Sequence, residues 1–117
     1  MGFIKQLPEV FYSINITLAF YINMIKKAKA KIINKPGDYY SIKDNVIIVV
    51  KNTTPEIVVA MQHVVGIIAE TNNLLSHAAI IAREYRKPYI LGFDNATKKI
   101  KNGQIIGIDI ANKKVIC

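Results

Sequence analysis

The sequence contains a single cysteine, Cys117, which is the last residue printed. One cysteine cannot form an intramolecular disulfide, and it excludes a cysteine-rich zinc site and a paired redox motif. Histidine is also scarce, because His63 and His77 are the two in the chain and neither has a partner at metal-ligand spacing. We therefore expect no disulfide framework, no metal site and a reducing, cytoplasmic location.

Two common catalytic motifs are missing as well. No glycine-rich run leads into Lys-Ser or Lys-Thr, which excludes the nucleotide-binding P-loop. Ser76 follows two leucines, whereas the nucleophile of a serine hydrolase sits in a G-x-S-x-G turn. The first ten residues lack the apolar core of a secretory signal, so we expect no targeting segment.

Acidic residues and arginines are few compared with lysine. The chain has 16 Lys and Arg against 8 Asp and Glu, a formal net charge of +8, and Arg83 and Arg86 are its arginines. The lysines are scattered from Lys5 to Lys114, whereas nucleic-acid-binding proteins concentrate basic residues on one face. We therefore expect no nucleic-acid partner. Electrostatic binding to nucleic acid or anionic lipid through these lysines is the third interpretation of the chain, and a strong salt dependence would characterise it.

The apolar segment 10–25 is not a membrane-spanning pattern. Large apolar side chains occupy every even position from 14 to 24, and Asn15 and Asn23 fall between them. This period of two is typical of a β-strand, and asparagines in the centre of a spanning helix would be costly. The pattern predicts an N-terminal strand and no membrane span.

The remainder of the chain alternates between strand and helix patterns. Predicted strands fall at 28–33, 46–50, 66–69 and 89–92, followed by a hairpin of 104–110 with 113–116. Helices are predicted to start after the capping residues Thr54 and Ser76. A chain of 117 residues is long enough for one domain. We therefore expect a single domain of 1–117, of class α/β, with a mixed sheet.

The junction before the second helix carries the candidate chemistry. Unpaired first-turn amides and the positive end of the helix dipole stabilise an anion, and His77 stands at that helix start. Imidazole is largely neutral at pH 7, so one ring nitrogen is free to attack phosphorus and release it later. Taken alone, a histidine in such a position is more often a surface or capping residue.

The segment from Ser76 to Glu84, Ser-His-Ala-Ala-Ile-Ile-Ala-Arg-Glu, followed by Pro88 and Gly92, resembles the phosphohistidine motif of the phosphoenolpyruvate-utilising enzymes. The family includes phosphoenolpyruvate synthase, pyruvate phosphate dikinase and the rifampicin phosphotransferases. The resemblance covers about 28–117, with 10–25 as an N-terminal strand extension. It implies the mobile, swivelling domain of these enzymes, a three-layer β/β/α fold with mixed sheets.

The resemblance also implies a function. In such families the matching histidine takes a phosphoryl group at an ATP-grasp domain or from phosphoenolpyruvate, and carries it to a second active site. His77 would be the phosphorylated residue, with Ser76, Asn73 and Arg83 supporting the phosphate. The chain would be a stand-alone phosphocarrier of a split phosphotransferase, with no cofactor of its own. A nucleotide-binding, ATP-grasp-like protein or a phosphoenolpyruvate-binding or pyruvate-binding protein would act in trans and hold Mg²⁺ with ATP or phosphoenolpyruvate.

Two departures from the family pattern favour an alternative. Asn72 and Asn73 stand where the relatives usually have two glycines, and Asn tolerates the positive φ that such glycines adopt. Leu75 stands where some dikinases have a regulatory threonine, so that control is not expected. The alternative is a degenerate, non-catalytic binding or scaffold module that keeps the swivelling fold.

Overall fold

The structure is a computed structural model that describes residues 25–117. The predicted strand at 10–25 lies outside the described residues, apart from Ile25. The strands are β1 (Ile25–Ile33), β2 (Val46–Val50), β3 (Val64–Ala69), β4 (Tyr89–Ile90), β5 (Ile105–Asp109) and β6 (Lys114–Ile116). The α-helices are α1 (His77–Glu84) and α2 (Ala96–Lys99), and two 3₁₀ helices cover Pro36–Ser41 and Pro55–His63.

The six strands form one mixed sheet in the order β4-β3-β2-β1-β5-β6. Neighbours among β1 to β4 pair in parallel, whereas β5 runs antiparallel to β1 and β6 antiparallel to β5. The predicted α/β class with a mixed sheet is therefore confirmed. Because the first four strands are parallel, the loops that follow them gather at one edge of the sheet, where ligands commonly bind in such folds.

Both faces of the sheet are buried, as the unbroken apolar run of β2 predicts. All five β2 residues are buried, and successive side chains point to opposite faces. Ile48 and Val50 belong to a core that includes helical residues such as Ile57, Ala78 and Ile81. Ile47 and Val49 belong to a second core with Ala96, Ile100, Ile106 and Ile108. The α1 helix is thus anchored on one face, next to the loops that follow β2 and β3.

The sheet curls so that its distant strands meet. A Cβ atom on Gly66 of β3 would lie 2.7 Å from Cδ1 of Ile108 on β5, although β2 and β1 separate these strands in the sheet. The missing side chain of Gly66 therefore provides the space that Ile108 fills. Strand packs on strand on this face, where α2 also packs through Ala96, while α1 and the 3₁₀ helix Pro55–His63 cover the other face.

The element boundaries differ from the predictions in four places. β1 is a single strand that begins at Ile25, and β3 begins at Val64, two residues before the prediction. The helix after Thr54 is a 3₁₀ helix, and its run of β-branched residues, Ile57 to Val59, is unfavourable in an α-helix. β4 has two residues, and Gly92 shortly after it adopts a φ of +74°.

A fifth difference is α2, which the local sequence did not predict. The Glu70 carboxylate at the end of β3 accepts hydrogen bonds from the Thr97 amide at 2.9 Å and from its hydroxyl at 2.6 Å. The acceptor for this helix start therefore comes from a residue 27 positions earlier, which no local pattern reveals. Among the helices within 25–117, none is long and apolar enough to cross a membrane.

Candidate functional site

The α1 helix begins as its sequence predicts. Ser76 precedes the helix in an extended conformation, and its Oγ accepts a hydrogen bond from the Ala79 amide at 3.3 Å. The small and apolar residues of the first turns, Ala78, Ala79, Ile81 and Ala82, are buried. Ser76 is therefore the N-cap, and the buried face of the helix fixes the position of the next residue, His77.

His77 is the first residue of α1, and its side chain is half-buried. Nδ1 of its ring lies 2.7 Å from Oγ1 of Thr53, a buried residue in the loop after β2. This hydrogen bond fixes the ring and occupies Nδ1. Within residues 25–117 no hydrogen bond reaches Nε2, so the two ring nitrogens have different surroundings.

Sequence reasoning missed Thr53. It lies 24 positions from His77, and only the parallel pairing of β2 with β3 brings the two loops together. The available signal was indirect, because Thr53 follows a strand buried on both faces, and side chains after such strands line the ligand-binding edge of a parallel sheet.

Asn52, beside Thr53, connects the same loop to the helix. Its Oδ1 accepts hydrogen bonds from the Thr53 amide at 2.9 Å and from the Ala78 amide at 3.2 Å. The expectation that the first-turn amides are unpaired is therefore wrong for Ala78, and it is wrong for Ala79, which Ser76 caps. The helix dipole still favours negative charge at this end, although the two amides that are hydrogen-bonded within the protein contribute less to it.

The turn before α1 is built around Asn73. Its Oδ1 accepts a hydrogen bond from the Leu75 amide at 2.8 Å, and its own amide donates to Oγ1 of Thr71 at 3.3 Å. Neither Asn72 nor Asn73 has a positive φ. The asparagine pair therefore forms this turn through side-chain hydrogen bonds and without the left-handed backbone that glycines permit.

The conformational freedom of glycine is used nearby, at Gly92. This residue has a φ of +74°, and a Cβ atom added to it would lie 3.2 Å from Cβ of Asn72. The Gly92 amide donates to the Thr71 carbonyl at 2.8 Å. The segment after β4 thus supports the turn that leads to His77.

Arg83 contacts the turn before the helix. Its Nη2 donates to the Leu74 carbonyl at 3.0 Å and its Nη1 to the Tyr89 hydroxyl at 3.3 Å, and its guanidinium carbon lies 6.0 Å from the Tyr89 ring centroid. The guanidinium therefore stabilises the turn that contains Leu74. A direct role of Arg83, Asn73 or Ser76 in holding phosphate stays a prediction.

Glu70, a carboxylate close to the site in the sequence, is hydrogen-bonded to a structural partner. Glu70 also follows β3, and its hydrogen bonds from the Thr97 hydroxyl and amide lower the pKa of its carboxyl below the usual value. Its carboxylate therefore accepts hydrogen bonds from the start of α2 and not from His77. Across residues 25–117, no three or more His, Cys, Asp and Glu side chains gather in a group that would hold a metal ion.

Known proteins are similar to this chain over the segment that contains the candidate site. Residues 42–113 match the family model of the mobile domain of PEP-utilising enzymes. The uncharacterized phosphotransferase YvkC of Bacillus subtilis is 37% identical over 91 residues, which are 78% of this chain and 11% of that protein. The phosphoenolpyruvate-protein phosphotransferase of Mycoplasma pneumoniae is 40% identical over 77 residues, covering 64% of this chain and 14% of that protein.

A solved structure shows the same fold. An Enzyme I protein determined by NMR spectroscopy superimposes with a TM-score of 0.55 and 26% sequence identity, over 65% of this chain and 32% of that one. The chain spans only 11% and 14% of the two curated relatives named above. The matched segment contains the Asn52-Thr53 loop, α1 and the intervening turn, and the chain belongs to the family of mobile domains of PEP-utilising enzymes.

Proposed function

We propose that this chain is a phosphocarrier that receives a phosphoryl group on Nε2 of His77 and passes it to a second protein or domain. The single observation that carries the proposal is the 2.7 Å hydrogen bond between Nδ1 of His77 and Oγ1 of Thr53. It holds the ring of a half-buried histidine at a helix start and leaves the other nitrogen for chemistry.

The transfer follows from the two ring nitrogens. In the reactive tautomer, Nδ1 carries the proton and donates it in a hydrogen bond to Thr53, so the lone pair of Nε2 is available. Nε2 attacks phosphorus, the new N–P bond forms, and the P–O bond to the donor breaks with the electron pair leaving on the donor oxygen. The ring becomes positively charged, and its Nδ1–H bond to Thr53 strengthens because a charged donor makes a stronger hydrogen bond.

The donor and the acceptor sites lie outside the residues of this site. Mg²⁺ with ATP or with phosphoenolpyruvate would be held by an ATP-grasp-like or phosphoenolpyruvate-binding partner, acting in trans. The chain spans only a small share of each relative, which supports the assignment of the donor and acceptor sites to other proteins or domains. The single cysteine, Cys117, supports a cytoplasmic location for the transfer.

The test is intact-mass analysis after incubation with phosphoramidate, a small phosphoryl donor that needs no partner protein, and Mg²⁺. We expect the wild type to gain an acid-labile phosphoryl group on His77 much faster than on His63, and His77→Ala to lose this fast labelling. His63→Ala is the matched control, because it removes the other histidine and should be labelled like the wild type. Equal labelling of His77→Ala would refute the carrier role.

A second candidate function is a non-catalytic scaffold, favoured by the Asn72-Asn73 pair in place of the family glycines. In that case phosphoramidate would label His77 no faster than His63. His77→Ala would also leave binding to the chain's partners unchanged.

A further inference from the structure

Three large apolar side chains within three residues of His77 in the sequence are exposed to solvent. Leu74 is 64% exposed and Leu75 is 78% exposed, in the turn that directly precedes the N-cap, and Ile80 on α1 is 46% exposed. Ile80 lies three residues after His77, so both are on the same side of the helix. We refer to Leu74, Leu75 and Ile80 as the leucine patch.

The leucine patch is held in place by hydrogen bonds. The Leu75 amide donates to Oδ1 of Asn73 at 2.8 Å, and the Ser76 amide donates to the Asn73 carbonyl at 3.0 Å. The Leu74 carbonyl accepts from Arg83 at 3.0 Å. The backbone of both leucines is therefore ordered, so a partner that buries them has less conformational entropy to remove than it would with a flexible loop.

We propose that the leucine patch is the docking surface for the protein that donates the phosphoryl group to His77. This inference rests on the proposed function. Nucleophilic attack requires the reacting atoms to approach to about 3 to 3.5 Å, so the donor must cover the residues next to His77. The fully buried centre of an interface is more apolar than its rim, and a few residues near that centre provide most of the binding energy.

Charge specifies the donor surface further. Arg83 borders the leucine patch through its contact with the Leu74 carbonyl, and the chain carries a net charge of +8. A matching donor has an apolar recess beside its phosphoryl site and carboxylates around the rim. Complementary charge of this kind accelerates association and selects the partner more than it increases affinity.

The test compares two donors on the same variant, Leu74→Ser combined with Leu75→Ser. Both side chains are largely exposed, so the substitutions leave the core intact. The first donor is phosphoramidate, which needs no docking. The second donor is the phosphoenolpyruvate-protein phosphotransferase of Mycoplasma pneumoniae, supplied with phosphoenolpyruvate and Mg²⁺. This phosphotransferase is used as a variant in which its own phosphohistidine is replaced by alanine. Ile105→Ser is the control, because Ile105 is an apolar residue of β5 that is 58% exposed and lies outside the leucine patch.

We expect phosphoramidate to label wild type, control and double variant at the same rate. With the protein donor, kcat/KM of the double variant should fall by about tenfold or more, while the control stays within about twofold of the wild type. An unchanged kcat/KM for the double variant, or no transfer from this donor to the wild type, would overturn the docking inference. Failure of phosphoramidate labelling in the wild type would instead refute the proposed function.

A second copy of the chain is the competing occupant of the leucine patch. Light scattering coupled to size-exclusion chromatography distinguishes it. We expect the wild type and the double variant to have the same mass, whereas a dimer that the double substitution dissociates would assign the patch to self-association and overturn the inference.

Discussion

Replacing Thr53 by valine tests the central contact of the site. Valine has nearly the shape of threonine but cannot hydrogen bond, so Thr53→Val removes the partner of Nδ1 without removing volume from a position that is 5% exposed. We expect slower phosphorylation of His77 and a loss of selectivity between its two ring nitrogens, because nothing then fixes the ring or occupies Nδ1.

The magnitude follows from the geometry. The two atoms are 2.7 Å apart and Thr53 is buried, so water does not easily replace the lost hydroxyl. The ring is cationic once phosphorus is bound, and a hydrogen bond to a charged group contributes about 1.5 to 3 kcal/mol. If this contribution is realised in the transition state, the rate falls roughly tenfold to hundredfold.

The assay is the rate of labelling by phosphoramidate, followed by ³¹P NMR, which separates Nε2-phosphohistidine from the Nδ1 isomer. The wild type should carry phosphate on Nε2, and Thr53→Val should be slower and carry a mixture. Thr53→Ser keeps the hydroxyl and should retain the wild-type pattern. Thr54→Val changes a neighbouring hydroxyl that makes no hydrogen bond to His77. Labelling of Thr53→Val at the wild-type rate and on Nε2 alone would contradict the assigned role of Thr53.

Two further predictions concern the framework that positions the site. Gly66→Val should lower the free energy of unfolding by about 1 to 3 kcal/mol in urea titrations, because its Cβ would meet Ile108 at 2.7 Å. The same substitution should cost less when it is introduced into the Ile108→Ala variant, and an equal cost would argue against this contact. Glu70→Gln should destabilise the protein at pH 7. The hydrogen bonds from Thr97 lower the pKa of Glu70 in the folded state, so its contribution is complete above its ordinary pKa of 4.5 and is lost as the pH falls through the folded-state value. The difference between wild type and Glu70→Gln should therefore shrink from pH 7 to pH 3, and a constant difference would contradict this assignment.

The local sequence predicted most of the elements because their signals are local. The five apolar residues of β2, the cap and apolar spacing of α1, and the hairpin of β5 and β6 each depend on neighbours within a few positions. The same is true of the motif around His77. Its resemblance to the phosphohistidine family therefore led to the family that the comparisons confirm.

Contacts between distant segments were beyond such reasoning. Nothing near Glu70 indicates that its carboxylate will bind the start of α2, which is 27 residues away. Nothing near Gly66 indicates that Ile108 will fill the space above it. The curl of the sheet decides both the existence of the cavity for Ile108 and the layered packing of the second core.

The amino-acid sequence by itself determined that His77 stands at a helix start and that the class is α/β, since capping and periodicity act over one or two turns of chain. It marked His77 as the candidate reactive residue through the resemblance to the phosphohistidine family. The tertiary structure alone decided which ring nitrogen is free and which amides are occupied. Those depend on Thr53 and Asn52, and the parallel pairing of β2 and β3 brings their loop against α1. Hydrogen bonds across 24 and 26 positions arise only when the sheet has formed.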